Sequence, residues 1–150
     1  MQAAALPIAA LAALHALRDA GKVKPGQRVL INGASGGVGT VAVQIAKSLG
    51  AHVTGVCSTR NVDMVRSIGA DQVIDYTQED FAEGEPRYDL IFDNVENRAL
   101  SDCRRVLKPS GTLILNSGTG AHGIALLLGG FVASDILVNL LKFRSYWRGA

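Results

Sequence analysis

Aromatic residues make up only 5% of this 150-residue chain, against 17 glycines. That balance argues against a β-sandwich and suits a parallel α/β sheet with tight strand-to-helix turns. Cysteine is nearly absent: Cys57 and Cys103 stand at neither disulfide-type nor metal-type spacing. A disulfide framework is excluded, and a reduced, cytoplasmic compartment is expected. His15, His52 and His122 are scattered and pair with neither cysteine, so no metal site is expected. An excess of one charge is also missing. Fifteen Lys and Arg face 13 Asp and Glu, spread along the chain, which leaves no patch for nucleic acid. No stretch reads as a membrane segment either. Ala3 to Leu17 is almost uncharged but mostly alanine, too short to span, and has no basic residue in front of it, unlike a signal peptide. Ile124 to Leu141 is more apolar, yet Asp135, Asn139 and Gly129-Gly130 interrupt it, and a charge in mid-bilayer is costly. Both stretches are expected to be helices buried against protein.

The composition, 48% hydrophobic and 19% charged, supports one domain with a true core. Residues 3–20 predict a helix stopped at Gly21, and Lys24-Pro25-Gly26-Gln27 a turn. Arg28 to Asn32 is a short apolar strand. After a glycine turn, Val38, Val41, Ala42, Ile45 and Leu49 recur at helical spacing up to Gly50. Ala51 to Cys57 is a second strand, Val62 to Ile68 a helix, and Gln72 to Ile74 a third strand. Thr77-Gln78-Glu79-Asp80 reads as a variant capping box opening a brief helix. Tyr88 to Phe92 is the fourth strand, Asn97 to Leu107 a helix ended by Pro109-Ser110-Gly111, and Thr112 to Leu115 the fifth strand. Runs such as VLI and LIF lack polar alternation, so the strands are buried on both faces. Right-handed crossovers then predict a doubly wound parallel sheet with the first strand central and helices on both faces.

The glycine turn carries the chemistry. It reads Ala34-x-Gly36-x-x-Gly39, directly between a strand and a helix. Small residues at Ala34 and Gly36 would let the backbone turn sharply and approach a pyrophosphate. Gly39 would let the helix pack close to the strand, and the helix N-terminus offers N–H groups and positive dipole to phosphate. The same glycines could serve a purely structural turn, but the strand–turn–helix context favours a dinucleotide. A P-loop is excluded because no Gly-Lys-Ser/Thr follows. Asn32 to Gly39 also fits the short-chain dehydrogenase pattern, yet Tyr76, Tyr88 and Tyr146 lack a lysine at the Tyr-x-x-x-Lys spacing those enzymes need.

The end of the second strand decides the cofactor. An acid about 20 residues after the turn ordinarily takes the ribose hydroxyls of NAD. Here Cys57-Ser58-Thr59-Arg60-Asn61 has no acid before Asp63. Hydroxyls and a guanidinium stabilise a 2′-phosphate that a carboxylate would repel, so NADP(H) is favoured. Ser58 or Thr59 could equally cap the next helix with Arg60 solvated, and both roles can coexist. The missing acid also weighs against an S-adenosylmethionine-dependent methyltransferase of the same fold class.

With VKPGQRVLINGASGGVG, VAVQIAKSLGAHVTGVCSTRN, IGADQVIDY, YDLIFDNV and LKPSGTLIL in place, the chain resembles the nucleotide-binding (Rossmann) domain of medium-chain dehydrogenases/reductases. The similar branch is the quinone-oxidoreductase-like one, often called zinc-binding alcohol dehydrogenases, and the likeness runs from about Ala4 to Gly118. It implies that Ser35, Gly36, Gly37 and Val38 face the pyrophosphate. Ser58 and Arg60 would lie at the adenosine phosphate, with Asn61 where relatives often have lysine. Tyr76 would border that phosphate, or simply close a strand. Asn94, Val95, Ser117 and Gly118 would pass near the nicotinamide, while Asp93 would cap the following helix rather than act as a catalytic carboxylate.

The resemblance also implies an N-terminal catalytic domain of GroES type, to which nothing in these residues corresponds. Residues 1–150 are therefore expected to form one dinucleotide-binding domain: a core of about 24–118, the helix 3–20 and an apolar tail 121–147. The expected function is that of an excised or truncated NADP(H)-binding domain of an oxidoreductase. The parent enzyme would move hydride from NADPH to a carbonyl, quinone or activated alkene, with the proton donor and most of the substrate pocket elsewhere. The chain alone would bind cofactor with negligible turnover; a non-catalytic nucleotide-binding or interaction module is the alternative. Apolar surface on 3–17 and 124–141 predicts a homo-oligomer.

Overall fold

The computed structural model describes residues 2–116, so the readings at Ser117, Gly118, His122 and the stretch 124–141 lie outside the described residues. Helix α1 (Gln2–Leu14) passes into a π-helical turn (His15–Ala20). One helix over 3–20 was expected, and its last turn is instead widened, the Gly21 N–H reaching back five residues to the Ala16 carbonyl at 2.7 Å. Ala12, Ala13, Ala16 and Leu17 are buried, whereas Ile8 and Leu11 are 60% and 65% exposed. Among the described residues, no helix is long and apolar enough to cross a membrane.

Beyond it run β1 (Arg28–Asn32), α2 (Gly37–Ser48), β2 (His52–Cys57), a 3₁₀ turn (Thr59–Asn61), α3 (Val62–Ser67), β3 (Gln72–Asp75), β4 (Tyr88–Asp93), α4 (Leu100–Val106) and β5 (Leu107–Leu115). All pairings are parallel, in the order β3-β2-β1-β4-β5, with β1 in the centre as the doubly wound reading predicts. Alternate residues of each strand serve two cores. Val29 and Ile31 pack with residues of α1, α2 and α3, and Leu30 packs on the other face with Cys103 and Val106 of α4 and with Phe81. Polar alternation is absent because neither face of the sheet meets water.

Three local readings are corrected. Residues 77–80 form no helix: 76–78 are a turn, and 79 and 80 have no regular structure. Thr77 instead turns back on Asp75, its hydroxyl and its N–H both donating to Asp75 Oδ1, at 2.7 and 2.9 Å. Helix α4 starts at Leu100, not Asn97, and Asp93 caps only the turn before it, accepting the Val95 and Glu96 N–H groups at 3.0 and 2.8 Å. Pro109-Ser110-Gly111 does not separate helix from strand. It lies within β5, where the ladder to β4 jumps from Tyr88↔Leu107 to Leu90↔Thr112. That irregularity tolerates a proline, since no ladder N–H is needed there.

Asp71 secures the start of β2. Its Oδ2 accepts the Val53 N–H at 2.8 Å, and its Oδ1 accepts Lys47 Nζ of α2 at 2.7 Å. Burial pushes the carboxyl's pKa up, but the Lys47 and Val53 hydrogen bonds and the Lys47 charge outweigh it and hold it below the ordinary carboxylate value. A depressed folded-state pKa contributes stability above the unfolded value that is lost as pH falls through the folded value. In urea titrations, Asp71→Asn is therefore expected to be less stable than wild type near neutral pH, with the gap closing below the ordinary aspartate value of 3.8.

The tightest packing lies between α2 and β1. A methyl on Gly39 would overlap the Gly33 carbonyl oxygen and crowd the Ala34 Cα. Only backbone separates helix from strand there. Gly39→Ala is expected to cost about 3 kcal/mol in thermal or urea unfolding, because main-chain atoms cannot step aside as a flexible side chain would.

Candidate cofactor-binding site

In a parallel sheet all strands end on one edge, and in a doubly wound sheet ligands sit beyond that carboxyl edge. Asn32, Cys57, Asp75, Asp93 and Leu115 are the last residues of the five strands. The turns that follow them hold every described residue that the sequence singles out.

The glycine turn follows β1. The chain reverses at Gly33, whose φ of +77° is one that L side chains rarely adopt, and the Gly36 N–H closes the turn on the Gly33 carbonyl at 3.1 Å. The sharp turn is thus one residue earlier than the assignment to Ala34. Ala34 is fully buried and its N–H donates to the Val56 carbonyl of β2 at 3.0 Å. It contributes packing, and neither its methyl nor its N–H is left for a ligand. Gly36 and Gly37 differ from Gly33 and Gly39, which the fold itself requires. A methyl at Gly37 would meet nothing within 4 Å, and one at Gly36 would touch only the Gly33 oxygen, at 3.4 Å. Both are exposed, at the start of a 12-residue helix whose N-cap, Gly36, makes no side-chain cap hydrogen bond. Beside Ser35 and Val38, the N–H groups at the start of this helix therefore adjoin open space, the setting in which helix N-termini bind phosphate.

A second cluster lies beyond β2 and β3. Ser58 Oγ accepts Asn61 Nδ2 at 3.1 Å, which leaves its own proton for another acceptor. Arg60 is exposed and forms no ion pair among the described residues. Tyr76 is 55% exposed, its backbone N–H bonded to the Cys57 carbonyl at 3.1 Å. Thr59 is exposed, and its hydroxyl donates to Asp75 Oδ2 at 2.5 Å. Neither Ser58 nor Asn61 makes a side-chain cap to the helical turns that follow. Asp75 ends the neighbouring strand β3, so the segment that follows β2 in the sequence carries no sign of it. Hydrogen bonds from Thr59 and then Thr77 hold its carboxyl below the ordinary range.

The third part follows β4. Asn94 donates from its backbone N–H and its Nδ2 to the Asn32 carbonyl, both at 3.2 Å, and accepts Asn116 Nδ2 at 2.8 Å. Val95 is 45% exposed and its side chain flanks Gly33. Beneath them Asn32, only 3% exposed, donates from Nδ2 to Asp93 Oδ1 at 2.9 Å and to Asn97 Oδ1 at 3.1 Å. This network fixes the β1 and β4 turns side by side. A polar residue closing the apolar run VLI was its one sequence signal.

A zinc centre does not fit the described residues. No three of His, Cys, Asp and Glu gather among them. Burial, reinforced by the Asp93 charge, pushes the Cys103 thiol up to about 12, and burial raises Cys57 as well. A thiol held neutral is a poor metal ligand.

Residues 37–150 match the family model described as zinc-binding dehydrogenase. The mitochondrial NAD(P)H oxidoreductase RTN4IP1 of Homo sapiens is 48% identical over 163 aligned positions, covering 99% of this chain and 40% of that protein. Among solved structures, the quinone oxidoreductase from Coxiella burnetii is 40% identical with a TM-score of 0.69, over 76% of this chain and 36% of that one. The quinone oxidoreductase from Thermus thermophilus, solved also in complex with NADPH, is 30% identical with a TM-score of 0.65, over 75% and 38%. The chain thus spans about a quarter to two-fifths of the length of the first curated relatives it matches. The expectation of a cytoplasmic location is corrected, because RTN4IP1 of Mus musculus, Bos taurus and Homo sapiens is mitochondrial. Two free cysteines carry no address. By sequence match, sheet order and glycine turn together, the chain belongs to the zinc-binding dehydrogenase family, in the quinone-oxidoreductase-like branch of the medium-chain dehydrogenases/reductases.

Proposed function

We propose that these residues form the NADP(H)-binding part of an oxidoreductase that transfers hydride from NADPH to a carbonyl, quinone or activated alkene. The observation that carries the reading is the pair of open glycines, Gly36 and Gly37, which protein packing does not demand and which leave the α2 N-terminus uncapped. The reduced nicotinamide supplies the hydride when bound. Around it, this chain's residues bind and orient. The N–H groups at the start of α2 hold the pyrophosphate, while Ser58, Arg60 and Tyr76 receive the 2′-phosphate. Asn94 and Val95 border the nicotinamide. The choice of NADP(H) rests on charge: a guanidinium with no described ion-pair partner and a hydroxyl with a spare proton stand where NAD-selective proteins place an acid. The proton donor and most of the substrate pocket are proposed to lie in the remainder of a longer enzyme, in keeping with the 36–40% of full-length relatives that this chain covers.

Calorimetric titration tests the cofactor assignment. Wild type should bind NADPH more tightly than NADH, and Arg60→Ala should weaken NADPH about tenfold while leaving NADH unchanged, the loss of one charge-assisted contact. Equal affinities, untouched by the substitution, would overturn it. Gly37→Ala separates ligand space from folding. Its methyl meets no protein atom, so stability should rise by about 0.5–1 kcal/mol through the lower entropy of the unfolded chain. The same methyl projects into the open space assigned to the pyrophosphate and should weaken both cofactors at least tenfold. Unchanged affinity would remove the start of α2 from the binding site.

A further inference from the structure

We propose that Asp75 is the positioning residue of the adenosine-phosphate subsite, a clamp that ties the turn bearing Ser58 and Arg60 to the turn bearing Tyr76. This rests on the NADP(H) reading given above. Strands β2 and β3 pair in parallel as far as Cys57↔Asp75, and the Tyr76 N–H to the Cys57 carbonyl is the last backbone rung between them. Beyond that rung nothing in the ladder holds the two turns at a common distance. The Asp75 carboxylate does. Its Oδ2 accepts the Thr59 hydroxyl at 2.5 Å, and its Oδ1 accepts both the hydroxyl and the N–H of Thr77, at 2.7 and 2.9 Å. The two threonine oxygens come within 3.1 Å of each other across the gap. One side chain therefore holds Thr59, immediately before Arg60, and Thr77, immediately after Tyr76.

The clamp also accounts for a carboxylate beside a site that receives an anion. Both oxygens are engaged by hydroxyl and N–H donors from the two turns. Its negative charge works against a 2′-phosphate while its geometry favours one, so charge and shape can be separated by substitution. Asparagine has the same shape without the charge. Its amide can donate to Thr59 and its carbonyl can accept from Thr77. Alanine removes both.

Asp75→Ala and Asp75→Asn in the 150-residue chain, with folding checked by circular dichroism, test this against NADPH and NADH. Asp75→Ala should weaken NADPH about tenfold, the loss of a well-placed charge-assisted contact, and NADH less than about twofold. Asp75→Asn should bind NADPH at least as well as wild type. An Asp75→Ala chain that keeps wild-type affinity, or one that binds NADPH more tightly because a repelling charge has gone, would overturn the clamp. Amide hydrogen exchange without cofactor decides it independently. Exchange over residues 58–61 and 76–79 should speed up in Asp75→Ala and not in Asp75→Asn, and equal protection in all three proteins would overturn the proposal. A wild type indifferent between the two cofactors would overturn the NADP(H) reading instead, and the exchange comparison would still decide the clamp.

Discussion

Everything at the carboxyl edge depends on how closely α2 lies against β1. Gly39 brings the helix onto the Gly33–Ala34 backbone with no side chain between them, and Gly33 turns the chain with a positive φ that makes this approach possible. The contact fixes the height of the helix N-terminus above the sheet. At that same N-terminus, Gly36 and Gly37 face outward over open space. Two glycines therefore serve the fold and two leave room for a ligand. The distinction is invisible in the letters and plain in what a methyl group would meet.

The parallel order β3-β2-β1-β4-β5 turns that one contact into a site. With β1 central, the β2 and β3 turns lie on one side of the glycine turn and the β4 turn on the other. The first side gathers a guanidinium, a hydroxyl and a phenol; the second gathers amides and an apolar side chain. Groups of a kind that bind anions are thus segregated from amides and an apolar side chain across the central strand. The Asn32–Asp93 and Asn32–Asn97 bonds hold the second side in register. Desolvating Asn32 and Asp93 is unfavourable, and the bonds from Asn32 Nδ2 and from the Val95 and Glu96 N–H groups to Asp93 Oδ1 offset part of the loss.

Local sequence was a reliable guide wherever structure is local. The apolar runs without alternation, the helical spacing from Val38 to Leu49 and the glycines that stop α2 and α3 place the elements to within a few residues. It misled where a side chain or main-chain group had a competing partner. Thr77 reads as a cap, but Asp75 two residues earlier captures it. Pro109-Ser110-Gly111 reads as a break, but a slip in the β4–β5 ladder absorbs it within a strand. Ala34 reads as part of the phosphate loop, but its N–H is taken by β2. In each case a neighbour in the fold prevailed over the local signal.

The sequence by itself determined the order of the five strands and of α2, α3 and α4 among them, the strand–glycine–helix unit and the lack of an acid at the end of β2. These follow from period, residue size and charge, which are properties of short segments. Only the tertiary structure decided that Thr59 and Thr77 share one carboxylate, that Asn32 meets Asn97, and which glycines are free. Those pairs are 18 and 65 residues apart and depend on the register between parallel strands. Register is set by how whole faces pack, so no single segment encodes it.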